Sequence, residues 1–225
     1  MKKILILLTL FTVTFVYSQT TINKVLPNFS TLKVYNGIDV EIVKSDKSAI
    51  EITGPKAEKV KIKEENGVLK IALRFPETMA EGDVKATLFY KKPIMVIDAN
   101  EGATITGKEI SQSKVDIKAQ EGAFINLVIN TSHCYVKASS GGVIKLSGTT
   151  KNQDVNVDLG STYHGFKLEV TNVSMIKAAS GAKAEVLSNE TLDAKVSFGG
   201  TIFYKGSPKV LKEKKVIGGT IEQRN

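Results

Sequence analysis

Tryptophan is absent from this chain, cysteine occurs once, and the only arginines are Arg74 and Arg224. A single cysteine cannot form an internal disulfide, so the core alone must hold the fold, and 225 residues are enough to build one. Cys134 lies in the alternating run HCYVKAS. We therefore expect it to be a small apolar strand residue rather than a nucleophile.

The excess of positive charge is almost entirely lysine, with a formal net charge of +8. Proteins that read nucleic acids generally use arginine forks and aromatic stacking platforms, and this chain has few of either. Its lysines recur at alternate positions, as in Lys59, Lys61 and Lys63, which is typical of a solvated strand face. We expect no nucleic-acid partner; a patch for acidic polysaccharide or lipid head groups is the second interpretation.

The first 18 residues resemble a secretory signal peptide. Lys2 and Lys3 precede an apolar segment from Ile4 to Val16 that is too short to span a bilayer well. We predict cleavage before Gln19. Because no cysteine lies near that point, we do not expect a lipoprotein. No later apolar run reaches the length of a transmembrane segment. The sequence thus predicts an exported protein of the periplasm, the outer surface or the medium.

Beyond Gln19 the apolar residues recur with a period of two, as in Val40 and Ile42 or Ile50 and Ile52. This period is typical of half-buried β-strands, and Asn66-Gly67 between two such runs is a strong hairpin signal. No amphipathic helical stretch exceeds about two turns, with 3.6 residues in each turn. We predict an all-β chain whose residues 19–92 form an N-terminal β lobe.

The second half of the chain repeats a short motif, in which two or three small residues separate alternating strands. Its glycines lie 18 to 21 residues apart, at Gly102, Gly122, Gly142, Gly160, Gly181, Gly200 and Gly219. A nearly constant interval with a glycine corner indicates a repeat architecture. Glycine tolerates positive φ and allows backbones to stack closely. We predict a parallel β-solenoid with coils of about 20 residues, right-handed by the general rule for parallel crossovers.

The prolines support this division. None occurs in residues 94–207, and a continuous hydrogen-bonded ladder does not accept a residue without an amide proton. We place the boundary of the C-terminal solenoid lobe at Pro93, giving residues 93–225. The final segment SPKVLKEKKVIGGTIEQRN is expected to cap this lobe, its lysines discouraging end-to-end growth.

The segment FSTLKVYNGIDVEIVKSD resembles the signature of the head GIN domain family of bacterial auto-transporter adhesins. The signature has a Phe-led strand, a Gly-Ile-Asn step and a second strand; Phe29, Gly37 and Ile38 match it, and Asp39 replaces the Asn. Asp and Asn serve similar roles in turns. The resemblance covers roughly residues 29–221 and implies a secreted or surface β-helical protein, with these four residues serving structure rather than chemistry.

The segment STYHGF is the strongest candidate for a binding site, because Tyr163, His164 and Phe166 cluster near one corner. The alternative is that the aromatic rings only cover the next coil. Nearby, Asp154, Asn156 and Asp158 imitate half of a calcium loop. Leu159 stands where that loop needs glycine, and Gly165 where it needs glutamate. We expect neither a metal nor any cofactor.

No catalytic motif emerges. The chain has no G-x-S-x-G segment, and His133 and Cys134 are adjacent strand residues that point to opposite faces. The leading interpretation is a non-enzymatic exported envelope or surface protein that presents solenoid faces to a cell-surface polysaccharide or protein. The alternatives are a β-helix that binds or cleaves carbohydrate, and an envelope sensor or scaffold that acts through its open ends.

Overall fold

The structure, a computed structural model, describes residues 21–225. These residues form strands and turns, with one short 3₁₀ segment and no α-helix. The N-terminal strands are β1 (Thr21–Val25), β2 (Thr31–Val34), β3 (Asp39–Lys44), β4 (Ala49–Thr53), β5 (Val60–Glu65), β6 (Val68–Leu73) and β7 (Lys85–Tyr90), with the 3₁₀ turn at Ala57–Lys59 before β5. The predicted signal peptide and its cleavage point lie outside the described residues.

The remaining strands form the coils of a β-solenoid. They are β8 (Val96–Ala99), β9 (Thr104–Ala119), β10 (Phe124–Ala138), β11 (Val143–Val157), β12 (Thr162–Ala179), β13 (Lys183–Leu187), β14 (Thr191–Ser197), β15 (Thr201–Lys205), β16 (Val210–Val216) and β17 (Thr220–Gln223). All pairings among them are parallel. About seven turns stack with coils about 19 residues apart. This confirms the predicted all-β fold with a parallel β-solenoid.

Each coil has two arms. We call the residues that follow a glycine corner the first arm, and those that lead into the next glycine corner the second arm. In β10 the first arm buries Ile125, Leu127 and Ile129, and the second buries Cys134 and Val136. The alternation of buried and exposed residues breaks at the adjacent pair 132–133, between these sets. The strand therefore bends there, which returns the chain to the next corner within one coil.

Each glycine corner is a tight turn with two consecutive residues at positive φ. At Glu101-Gly102, for example, φ is 53° and 70°, and the amide of Ala103 donates to the carbonyl of Asn100 over 3.1 Å. This pattern is that of a type I′ turn. The same pair of angles recurs at Asn36-Gly37, Glu121-Gly122, Ser140-Gly141, Leu159-Gly160, Ser180-Gly181, Phe198-Gly199 and Ile217-Gly218.

All seven predicted corner glycines lie in these turns, but they occupy two different positions. Most of them are the second residue of the positive-φ pair. Gly142, Gly200 and Gly219 instead follow the positive-φ pair. A Cβ at Gly142 or Gly200 would collide with the carbonyl oxygen of the coil beneath, that of Ala119 or Ala178. Where a corner has two consecutive glycines, the first thus provides the turn and the second allows close stacking.

Successive corners are joined by hydrogen bonds along the solenoid axis. The Gly37 amide donates to the Glu101 carbonyl over 2.8 Å, and the Gly102 amide to the Glu121 carbonyl over 2.9 Å. Four more bonds continue the series, in which the amides of Gly122, Gly141, Gly160 and Gly181 donate to the carbonyls of Ser140, Leu159, Ser180 and Phe198, respectively. We call this line of stacked turns, from Asn36 to Ile217, the corner ridge.

The N-terminal part continues the same sheets. Strand β2 pairs in parallel with β8, and β3 pairs in parallel with β9, so Gly37 of the family signature forms the first corner of the ridge. The antiparallel pairings all lie in this part, between β1 and β4, β4 and β7, and β5 and β6. The boundary at Pro93 therefore marks where antiparallel pairing ends, while the sheets run across it.

The core is mainly aliphatic, and the middle coils contain a buried polar patch. Cys134 is buried there, and burial raises the pKa of its thiol. Gln153, also buried, donates to Ser174 Oγ over 3.0 Å and accepts from the Tyr163 hydroxyl over 2.9 Å. Buried polar groups of this kind are tolerated because each has a partner.

The last coil ends the solenoid with charge. Strand β16 pairs with β14, so Leu211, Glu213 and Lys215 continue the inward-facing row of Leu192, Ala194 and Val196. Charged residues at inward positions disfavour the addition of another strand. The C-terminal segment, predicted to be a cap, is thus one further coil whose core positions are partly charged. Residues 21–225 contain no helix suited to cross a bilayer.

Candidate functional site

A groove of about 530 Å³ lies on the outer face of the first arms, across strands β10 to β13. Its floor is rigid because these strands pair in parallel over their facing positions. The lining combines apolar and charged side chains: Phe124, Asn126, Val128, Val143, Lys145, Leu146, Ser147, His164, Phe166, Lys167 and Glu185.

The polar centre of the groove is a row of residues in register on successive coils. Asn126 faces Lys145, Lys145 faces His164, and His164 faces Glu185. Neighbouring strands are about 4.8 Å apart, so the row presents an amide, an ammonium, an imidazole and a carboxylate in one line. Such a row offers both donors and acceptors to a polar ligand.

At one end of the row, Glu185 joins two basic side chains. His164 Nδ1 lies 2.7 Å from Glu185 Oε2, and Lys183 Nζ lies 2.6 Å from Glu185 Oε1. Burial acts to raise the pKa of Glu185, but the hydrogen bonds from Lys183 and His164 outweigh it, and the pKa is lowered. Glu185 is therefore a carboxylate that accepts hydrogen bonds at neutral pH.

Apolar side chains form the walls around this row. Val128 is 40% exposed, and Phe124, Val143 and Phe166 are partly buried. Lys205 Nζ lies 5.3 Å from the centre of the Phe166 ring, close enough for a cation–π contact. The groove can therefore pack an apolar surface of a ligand while the row binds its polar groups.

The structure separates the three residues predicted as a binding cluster. His164 and Phe166 line the groove, whereas Tyr163 is fully buried and its hydroxyl donates to Gln153. Burial raises the pKa of Tyr163 well above its ordinary value. Gly165 makes room for the ring, since a Cβ there would lie 2.6 Å from a ring carbon. Tyr163 thus supports the groove from below.

A second hollow lies on the same outer face, towards the N-terminal end, with a volume of about 410 Å³. It contains Asp39, which faces Lys85 on one side and Thr104 on the other. Glu41 and Glu51 also line it. The aspartate that replaces the family Asn therefore lies at an outer surface, next to a lysine.

Several groove residues were missed by the sequence reasoning, notably Phe124, Lys145 and Glu185. The periodicity contained the information needed to find them. Moving from His164 by about one coil in either direction leads to Lys145 and Glu185, its two register partners. The groove is a property of stacked coils, so it does not show in any single segment of the sequence.

The polar side chains of the groove are hydrogen-bonding groups. Within residues 21–225, no cluster of three or more histidine, cysteine or acidic side chains is arranged to hold a metal ion. The hydrogen bonds of the described part link His164 to Glu185 and to no hydroxyl or thiol. The groove thus offers hydrogen-bonding groups and apolar walls but no activated nucleophile.

Comparison with known proteins places the chain in a family. Residues 28–208 match the family model described as "Putative auto-transporter adhesin, head GIN domain". The chain belongs to this family. The resemblance recognised in the segment from Phe29 to Asp46 is thereby confirmed, and the coarse assignment to adhesin-type proteins follows. A comparison with curated proteins finds no match.

Solved structures share the fold at low sequence identity. A crystal structure described as a putative adhesin from Bacteroides fragilis has a TM-score of 0.81 and 17% identity over 92% of this chain and 97% of its own. A "putative lipid binding protein" from Parabacteroides distasonis gives 0.72 and 16%, with the same coverage. A putative adhesin from Parabacteroides merdae gives 0.70 and 19%, covering 92% and 96%. These likenesses show the fold.

Proposed function

We propose that the protein is an exported, non-enzymatic binding module of the cell envelope or cell surface. It contacts a macromolecule through the outer face of its first arms, with the groove around His164 and Phe166 as the principal contact. The supporting observation is the in-register row from Asn126 to Glu185 between apolar walls. A rigid surface of this kind matches the adhesin-type description of the family.

The nature of Glu185 supports binding over hydrolysis. Glycosidases of the usual type need two carboxyl groups, one of which is protonated and donates its proton to the leaving group. Glu185 is the only carboxylate in the lining of the groove, and its pKa is lowered rather than raised. A carboxylate of this kind is a poor proton donor and a good acceptor for ligand hydroxyl groups.

The second candidate function is carbohydrate binding within the same groove. Phe166 provides an aromatic ring beside polar groups, and Phe203 follows on the outer row beyond Glu185. Sugars pack their apolar faces on aromatic rings while their hydroxyl groups bind polar side chains. This candidate narrows the ligand of the proposed module to a glycan and leaves the site unchanged.

A glycan array combined with product analysis tests the proposal. The chain from Gln19 onward is applied with two groove variants, Phe166→Ala and His164→Ala, and Tyr135→Ala serves as the control. Tyr135 is an exposed aromatic residue on a second arm. We expect at least a tenfold loss of binding to bacterial cells or glycans for the groove variants and none for the control.

The outcomes separate the candidates. Retention of an intact glycan supports a lectin-like module, and binding to cells but not to glycans supports contact with a protein. Release of a shortened glycan by wild type, lost in Glu185→Gln, would overturn the non-enzymatic proposal. Fractionation of the producing cell tests export; a full-length protein that stays in the cytoplasm would contradict it.

A further inference from the structure

The C-terminal half of the corner ridge carries exposed apolar side chains. Leu159, Phe198 and Ile217 occupy the first positive-φ position of their turns and are 58%, 60% and 70% exposed. In the N-terminal half, the same position holds polar residues, namely Asn36, Glu101, Glu121 and Ser140. We call the three apolar residues the ridge tips.

The fold does not explain the ridge tips. Their φ angles are 48°, 49° and 54°, a region that favours glycine, asparagine and aspartate. For a β-branched residue such as Ile217 this backbone conformation is a marked outlier. The tips thus combine an unfavourable conformation with the exposure of apolar surface, and strained positions of this kind often serve function.

A row of lysines runs beside the ridge tips. Lys177, Lys195 and Lys214 are in register on successive coils and are exposed. Lys195 and Lys214 each precede a ridge tip by three residues, and Lys177 precedes Ser180, the polar residue between Leu159 and Phe198. None of these lysines forms an ion pair within residues 21–225. Three like charges are therefore stacked beside this half of the ridge, two of them next to an apolar tip and one next to Ser180.

Acidic groups near the ridge do not cancel this charge. Asp193 lies on the same strand face as Lys195 but two residues further from the ridge. Glu213 is exposed on the last coil, but it pairs with the buried Ala194 and therefore lies on the opposite strand face from Lys214. Asp158 directly precedes Leu159 and has one oxygen buried without a hydrogen-bond partner in the described part. Lys195 and Lys214 are therefore the charged residues that recur at the same position beside Phe198 and Ile217, three residues before each tip.

We propose that this half of the corner ridge docks on an anionic lipid bilayer. Leu159, Phe198 and Ile217 enter the interfacial region, and Lys177, Lys195 and Lys214 contact the phosphate groups of the lipids. Because the ridge runs along the solenoid axis, the rod lies along the membrane. This inference goes beyond the proposed function and concerns a different surface from the groove.

A bilayer fits the observations better than a soluble polyanion. A linear acidic polymer would be held by the lysines alone and would leave the ridge tips in water. A bilayer surface supplies both the negative charge and the apolar region that the two rows match. Near an anionic surface each lysine contributes on the order of fivefold to affinity, so three contribute about a hundredfold.

Sedimentation with lipid vesicles tests the inference. The chain from Gln19 onward is used, since the apolar segment before it would bind lipid by itself and the core described above lies within residues 21–225. We expect binding to vesicles of phosphatidylglycerol and phosphatidylcholine that salt weakens, and much weaker binding to phosphatidylcholine alone. A triple variant, Leu159→Asn, Phe198→Asn and Ile217→Asn, should lose at least tenfold in affinity without losing thermal stability.

Matched variants provide the controls. Lys177→Gln, Lys195→Gln and Lys214→Gln should weaken binding about a hundredfold, while Lys92→Gln, Lys108→Gln and Lys151→Gln, with the same change in charge, should not. The double variant Val25→Asn and Met95→Asn removes exposed apolar surface away from the ridge tips, and it should bind vesicles like wild type.

Several results would overturn the inference: no binding of wild type to anionic vesicles, equal losses for both lysine triples, unaltered binding by the tip variant, or tighter binding to polygalacturonate than to vesicles. Phe166→Ala, the groove variant, should bind vesicles like wild type, so failure of the groove proposal leaves this test intact.

Discussion

The two halves of the corner ridge share a backbone and differ in what their side chains do. In the N-terminal half, Asn36 donates to Glu101 Oε2 over 2.7 Å and accepts from the Leu73 amide over 3.0 Å. In the C-terminal half, Leu159, Phe198 and Ile217 extend into solvent from turns with the same φ angles. The comparison shows that the turn needs its backbone and its glycines, whereas the tip residue is free to serve stability or binding.

The largest effect is expected where the two halves are alike. Gly142→Val and Gly200→Val place a Cβ against the carbonyl oxygen of the coil beneath, in one half and in the other. Each substitution should lower the free energy of unfolding by about 3 kcal/mol or more. Chemical denaturation measures both. A large loss at one site and none at the other would break the equivalence of the halves.

A smaller effect is expected where the N-terminal half is distinctive. Asn36→Leu removes the acceptor of the Leu73 amide and the donor to Glu101. A part-buried donor without a partner costs roughly 1–3 kcal/mol, and leucine is also less favourable at positive φ. Thermal and chemical unfolding should show this loss. Stability equal to wild type would mean that the side chain of Asn36, like those of the ridge tips, does not stabilise the fold.

In the C-terminal half, substitution of a ridge tip is expected to raise the free energy of unfolding. Replacement of Phe198 or Ile217 by asparagine suits the positive φ better and removes exposed apolar surface. Each single variant should gain up to about 1 kcal/mol in unfolding free energy. A loss of more than that for either variant would show that the tips hold the fold and would weaken their assignment to binding.

The smallest effect concerns the groove. The pKa of Glu185 is lowered in the folded state, so its ionised form stabilises the fold above the ordinary pKa. This contribution is lost as the pH falls through the lowered pKa. Glu185→Gln should remove this contribution. The free energy of unfolding of the variant should therefore fall less steeply below about pH 4.5, and the difference from wild type should be less than about 1 kcal/mol. Identical pH profiles for variant and wild type would contradict the geometry of the pair with Lys183 and His164.

Much of the fold could be predicted because the signals are local and repeated. The period of two fixes which side chains are buried, and the regular glycines fix where the coil turns. The repeat also contained the orientation of Tyr163, which is in register with Ile144 and hence with the buried row. Assigning it to the groove treated the segment STYHGF by itself and missed this register.

The remaining features depend on stacking between coils. The bends inside β10, β11 and β12 occur at differing residues, so no motif marks them. The groove requires Asn126, Lys145, His164 and Glu185 to align, which follows only from the exact register of four coils. The continuity of the sheets across Pro93 rests on pairing between β2 and β8, which are more than 60 residues apart.

Hydrogen exchange at the corner glycines tests the central claim, a single solenoid with stacked corners, most directly. The amides of Gly37, Gly102, Gly122, Gly141, Gly160 and Gly181 donate to the next corner, so we predict slow exchange although these turns lie at the surface. Gly218 belongs to the last corner of the described chain and should exchange rapidly. Fast exchange at all of these glycines, as in ordinary loops, would contradict the solenoid.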